Sequence, residues 1–152
     1  MNELDDQLRQ LVERYMTAYF VLFKNLNTQM AEVIQEDATI EQYQIIAYIA
    51  THENGTSTEL AEVFSVGKSS ITAIITRLVD KGLIERTRDV QDRRVVYLSL
   101  TEHGRMIYSK MQESIIDMMS SYMIHFTKED IDGFIQPFEK MAKLVEEGNR
   151  SK

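Results

Sequence analysis

The stretch STELAEVFSVGKSSITAIITRLVDKG, residues 57–82, decides how this chain folds. Between Gly67 and Gly82 its apolar residues are Ile71, Ile74, Ile75, Leu78 and Val79, the i, i+3, i+4, i+7, i+8 stripe of an amphipathic helix with one buried face. The opposite face carries Lys68, Ser69, Ser70, Thr72, Ala73, Thr76 and Arg77, small hydrogen-bonding side chains with two cations, which suit a surface that enters a DNA groove. Upstream, Ser57–Phe64 reads as a shorter helix with Leu60, Ala61 and Phe64 inward. The turn between the two is Ser65-Val66-Gly67, with its glycine where a helix-turn-helix needs one. Downstream, Leu83–Arg88 and Val95–Leu100 read as two strands around the charged loop Asp89-Val90-Gln91-Asp92-Arg93-Arg94. The expected fold is mainly α with a small β wing: a winged helix-turn-helix.

The run from Val66 to Arg86, then Asp92-Arg93-Arg94 and Leu100-Thr101-Glu102-His103-Gly104, resembles the MarR family of transcriptional regulators in order and spacing. The specific match covers about a third of the chain, and the flanking helices are compatible over the rest. The resemblance implies a homodimer on double-stranded DNA, often with a small-molecule effector bound between the dimer helices and the winged lobe. Its D-x-R wing pattern places Arg94 in the minor groove; by charge-assisted bonding Asp92 would hold that guanidinium in position.

Net charge is −7 over 152 residues, at first sight wrong for a DNA partner. The distribution answers this. Between Gly67 and Arg94 seven cations (Lys68, Arg77, Lys81, Arg86, Arg88, Arg93, Arg94) face four anions (Asp80, Glu85, Asp89, Asp92), a local +3 against −10 for the remainder. Phosphate attraction is local, screened beyond about 10 Å at moderate salt, so a basic face on an acidic body suffices. Arg77 is the candidate for bidentate reading of guanine, Ala73 for a thymine methyl, and Arg88 and Arg93 for phosphate.

There is no cysteine, which excludes a disulfide framework, a thiolate zinc site and a cysteine redox switch. The start MNELDDQLRQ is acidic and polar, and no stretch reaches the length of a membrane span, so a cytoplasmic protein without a membrane partner is expected. His52, His103 and His125 fall on three predicted helices without ligand spacing, so no metal, cofactor or catalytic set is expected and the chain does not read as an enzyme. The rival readings are a winged helix used only for protein contacts, which predicts no steep salt dependence toward duplex, and a metal-dependent regulator. Oxidation of the nine methionines is a further, thin alternative.

Around this centre, residues 4–36 read as one long helix, with Phe20-Val21-Leu22-Phe23 apolar nearly all round. Thr39 with Gln42 is a capping box for a helix over Ile40–His52, whose stripe is Tyr43, Ile46, Ala47, Ile49 and Ala50. Glu53-Asn54-Gly55 ends it. Thr101 opens a helix to about Phe126, and Thr127 with Asp130 opens a last one, in which Pro137 predicts a kink or break near 134–136. The outer helices carry more apolar surface than the winged unit covers, which predicts a twofold dimer. The expected organisation is a helical dimerisation region over 1–36 and 102–148, a DNA-binding lobe over 37–101, and a frayed tail over 149–152. Tyr15, Tyr19, Phe23, Tyr43 and Ile46 are the candidates to line an effector pocket for an apolar or amphipathic molecule.

Overall fold

The computed structural model describes residues 3–52 and 55–150. The expected stop at Glu53-Asn54 lies outside the described residues, as does the end of the tail at 151–152. Helices α1 (Glu3–Ile34) and α2 (Ile40–Thr51) are followed by β1 (Gly55–Thr56), α3 (Ser57–Val63), α4 (Lys68–Asp80), β2 (Ile84–Arg88), β3 (Val96–Leu100), α5 (Glu102–Met123) and α6 (Lys128–Arg150). The chain divides into two compact units, residues 1–115 and 116–152.

The first unit is built on one apolar core. Ile71, Ile75 and Leu78 of α4, Ile45, Ile46 and Ile49 of α2, and Leu60 and Ala61 of α3 pack with Leu83, Ile84, Leu98 and Leu100 of the wing. Each fully buried Ile or Leu contributes about 1.5–3 kcal/mol relative to exposure. Ile34 at the end of α1, Ala38 in the turn after it and Met111 of α5 belong to the same core. Side chains from the end of α1 and from α5 thus help to close the core of the winged lobe.

Local signals explain the helix starts. Thr39 accepts from Gln42 N–H while Gln42 Oε1 accepts from Thr39 N–H, the expected capping box. Thr56 and Glu59 form a second one at the start of α3. The buried stripe of α2 is turned relative to expectation: Ile45 and Gln42 are buried, Tyr43 and Ala47 half-buried, and Ala50 exposed. Gln42 is drawn inward by its two acceptor roles, described below.

In the turn between α3 and α4, Gly67 is the N-cap residue with an ordinary φ of −63°, and the left-handed residue is Ser65, φ 50°. The glycine of this turn is therefore not its left-handed residue. After α4, Gly82 takes φ 71°, and Leu83 N–H donates to Leu78 carbonyl to close the helix.

The sheet has the order β1-β3-β2, antiparallel throughout. Ile84 faces Leu100 and Arg88 faces Val96 in register, leaving 89–95 as the wing loop. β1 adds only Gly55 and Thr56, opposite Leu98 and Tyr97. α5 begins tightly on this sheet: Thr101 N–H and Oγ1 donate to the carbonyls of Leu83 and Gly82, and Thr101 Oγ1 accepts from Gly104 N–H at 2.9 Å.

The second unit holds the end of α5, a turn and α6. α5 stops at Met123, so His125 lies in the turn rather than on a helix. At the start of α6 Asp130 N–H donates to Thr127 Oγ1 at 3.2 Å, while Thr127 N–H and hydroxyl both donate to the Asp130 carboxylate at 3.0 Å and hold it below its usual range. α6 runs through Pro137 unbroken, which removes the break from the two expected outcomes, a kink or a break. The carbonyl facing the proline ring is that of Gly133, exposed and lacking a side chain, so its peptide has room to tilt toward water. The helix also continues to Arg150, past Gly148 where fraying was expected.

Candidate nucleic-acid interface

The amphipathic pattern of α4 divides the helix as its sequence implies. Ile71, Ile75 and Leu78 are buried, while Lys68, Ser69, Ser70, Thr72, Ala73, Thr76 and Arg77 are all exposed. Gly67 supplies no side-chain cap to α4, at an end where the helix dipole favours anions. Two hydroxyls on this face have their proton or lone pair assigned. Thr72 Oγ1 donates back to Lys68 carbonyl at 2.7 Å, which leaves its lone pairs to accept from a base or bound water. Thr76 Oγ1 accepts from Arg86 Nη2 at 3.1 Å, which leaves its proton to donate.

The second element is the wing. Asp89 organises the loop: its carboxylate accepts from the N–H groups of Gln91 and Asp92, both at 2.8 Å, and from the Tyr97 hydroxyl. The Asp92 and Gln91 amides hold the Asp89 carboxyl below the ordinary range, and the nearby charge of Asp89 raises the Tyr97 phenol. Asp92 does the corresponding work at the tip. Its carboxylate accepts from Arg94 N–H at 3.0 Å and from the Arg94 guanidinium at 3.1 and 3.3 Å, and the guanidinium is the main cause of its lowered pKa. The Arg94 side chain is nevertheless 91% exposed. Arg88 Nη1 donates to the Arg93 carbonyl at 3.3 Å, so Arg88 also braces the loop. Arg93 is exposed beside it.

The structure thus brings the eleven expected DNA-facing residues onto two exposed elements, with Asp92 half-buried as a clamp. Two further residues belong with them. Arg86 joins β2 to the outer face of α4, and its signal was the i, i+2 spacing with Arg88 on one strand. Asp89 shapes the loop, and its signal was an Asp followed two and three residues on by the amides an Asx turn uses. Lys81, one of the seven cations of this stretch, turns away: Nζ donates to Asp37 carbonyl and Gln42 Oε1.

The five residues expected to line an effector pocket are not brought together within the chain. Tyr15, Tyr19 and Phe23 stack along exposed α1, with centroids 6.0 and 5.4 Å apart. Tyr43 lies against Tyr108, its phenol pushed up by burial, and Ile46 is sealed in the core. A cleft of about 480 Å³ opens elsewhere, between α2, β3 and α5, lined by Ile49, His52, Leu98, Leu100, Arg105 and Tyr108 among others. Among the described residues no group of three His, Asp or Glu is placed to hold a metal ion, and no helix is long and apolar enough to cross a membrane.

Comparison with known proteins agrees with this geometry. The family model described as "MarR family" matches residues 38–96, from the turn ahead of α2 to the start of β3. The HTH-type transcriptional repressor MdtR of Bacillus subtilis is 29% identical over 138 residues, covering 90% of this chain and 87% of that protein. The crystal structure of YusO from Bacillus subtilis superposes with a TM-score of 0.65 at 29% identity, over 91% of this chain and 96% of that one. Streptococcus pneumoniae FabT, solved in complex with DNA, shares the fold, with a TM-score of 0.74 at 24% identity over 91% and 98% of the two chains. Winged lobe, flanking helices and relatives agree: residues 38–96 match the MarR family, and the chain is similar over most of its length to HTH-type transcriptional regulators.

Proposed function

We propose that the protein is a sequence-specific, double-stranded-DNA-binding transcriptional repressor that acts as a homodimer on an inverted-repeat operator. The observation that carries this reading is the pairing of an exposed hydroxyl-and-cation face on α4 with a wing arginine that is 91% exposed yet held by Asp92. An arginine oriented before binding loses less freedom when it enters a groove. Arg77 reads a base edge, Ser69, Ser70 and the α4 amides meet phosphate, and Arg94 enters the adjacent minor groove. MdtR is named a repressor and FabT was solved with DNA, which supports the same role here.

Dimerisation is supported by exposed apolar faces in each unit: Leu8, Leu11, Phe20 and Phe23 on α1, and Phe134, Phe138, Met141 and Leu144 on α6. The dimerisation region is assigned to 1–36 and 102–148. Two lobes related by a twofold axis place two recognition helices about one DNA turn, roughly 34 Å, apart. The body carries the excess negative charge and stays off the duplex. Release by a small amphipathic molecule fits the cleft beside β3, where an apolar floor of Ile49, Leu98 and Leu100 meets Arg105 and His52.

Selection of bound duplexes from a random pool, followed by titration at several salt concentrations, tests the reading. The expected result is an enriched inverted repeat, with affinity falling steeply and linearly in log salt. Alanine at Arg93 should shallow the salt slope by about one unit at any sequence, whereas alanine at Arg77 should relax preference at one position. No enrichment, or an affinity indifferent to salt, overturns it.

A further inference from the structure

At the end of α4 farthest from its exposed N-terminus, α1, α4 and α5 meet on Asp37. Lys81, the C-cap of α4, extends Nζ to the Asp37 carbonyl at 3.3 Å and to Gln42 Oε1 at 3.2 Å. The Asp37 carboxylate takes Lys110 Nζ of α5 at 2.8 Å, and that carboxylate side chain is only 14% exposed. Asp37 itself is tied to α1, its N–H donating to Ile34 carbonyl at 2.9 Å. Gln42, the buried polar residue of this region, accepts from both Thr39 N–H and Lys81. One residue therefore holds the recognition helix by its carbonyl and α5 by its carboxylate.

We infer that Asp37 is a positioning residue for DNA reading: it sets the angle at which α4 leaves the body of the lobe. The argument is one of leverage. α4 spans 13 residues, about 20 Å. A rotation of about 10° at Lys81 displaces Lys68 by about 3 Å, close to the 3.4 Å rise of one base step. Packing of Ile71, Ile75 and Leu78 fixes α4 against the core but, being apolar and without directed bonds, leaves small tilts cheap. Two sets of directed contacts oppose tilting: Thr76 takes Arg86 of β2, and at the helix end Lys81 takes Gln42 of α2 and the Asp37 carbonyl, the latter leading on to α5. Asp37 touches no DNA in this arrangement, and its effect is on where α4 stands.

The inference rests on the proposed dimer reading an inverted repeat, and the test separates the two. Full-length wild type, Asp37→Asn and Lys110→Met are titrated with the selected duplex and with duplexes having one base pair inserted or removed between the half-sites. Asp37→Asn keeps the shape and the carbonyl but removes the ion pair. Lys110→Met removes the same pair with Asp37 intact, which covers the case in which the first variant does not fold. Both should discriminate the altered spacings less than wild type by about threefold or more, with urea midpoints near wild type, and the double variant should add nothing further. A residue that only stabilises the fold shifts the urea midpoint and leaves the spacing profile unchanged. Wild-type discrimination in both variants overturns the assignment alone. A wild-type protein indifferent to spacing overturns it together with the inverted-repeat reading.

Discussion

The Asp92 carboxylate grips Arg94 at three points: the backbone N–H at 3.0 Å, Nε at 3.1 Å and Nη2 at 3.3 Å. Exposed ion pairs contribute little to stability, so the value of this one lies in presenting the guanidinium rather than in holding the wing together. Asp92→Ala should leave the thermal midpoint within about 2 °C of wild type. It should weaken operator binding by about three- to tenfold, as the arginine must then be ordered during binding. Arg94→Ala should cost about tenfold or more. In the double variant the Asp92 effect should vanish, since the carboxylate acts only through its arginine. Calorimetry and fluorescence anisotropy measure both quantities. Additive losses would show that Asp92 works independently.

The wing should hold its shape at neutral pH and lose it only in acid. The Asp89 carboxyl is lowered chiefly by the Asp92 and Gln91 amides, and the Asp92 carboxyl chiefly by the Arg94 guanidinium. For a carboxyl lowered on folding, the stabilisation is complete above the unfolded value, about 3.9, and is lost as pH falls through the folded one. Amide resonances of Gln91, Asp92 and Arg94 should therefore be constant from about pH 8 to 5 and move together below about pH 4. Movement centred near pH 6 would contradict the assignment.

At Gly104 a side chain has nowhere to go. A Cβ there would lie 2.0 Å from the Leu83 carbonyl oxygen and 2.9 Å from its carbon, both backbone atoms. Gly104→Ala must push the start of α5 off the β2 entrance, at a cost of about 1–3 kcal/mol or more. Gly82 fails for a different reason. Its surroundings are open but its φ is +71°, so alanine there should cost about 1–2 kcal/mol through the backbone alone. Asparagine, which tolerates that conformation, should restore part of the loss at Gly82 and none at Gly104. Urea midpoints decide it.

What the sequence disclosed and what it hid divide by range. The stripe of α4, the capping boxes at Thr39 and Thr127 and the Asp92–Arg94 pair depend on residues two to four apart, and each was legible. Thr56–Glu59 obeys the same rule at the same spacing. β1 is too short to show alternation and exists only because Leu98 and Tyr97, some forty residues on, offer it an edge. Lys81 counted as one more cation in a basic stretch, because nothing nearby in sequence reveals that Asp37 and Gln42 take it. The positive φ at Ser65 escaped because a glycine two residues later offered an easier explanation. Aromatic periodicity placed Tyr15, Tyr19 and Phe23 on one face, but periodicity does not say whether that face lines a pocket or meets a second molecule.

That question has a direct test in the apolar faces of α1 and α6. Phe20 and Phe138 are exposed in the chain, so Phe20→Glu and Phe138→Glu remove no intrachain core contact and should leave the far-ultraviolet spectrum and the winged lobe intact. A carboxylate buried unpaired against a second copy is costly, and the affected protein should sediment as a monomer where wild type sediments as a dimer. Losing the partner converts two linked half-site contacts into one, and linkage of this kind is worth about 10²–10⁴ in apparent affinity. The variants should therefore bind the full inverted repeat about as weakly as a single half-site, while wild type keeps a large preference for the full repeat. Dimers that persist in both variants would move the interface to other surfaces. Monomers that still prefer the full repeat would show that spacing is read without the two copies being joined.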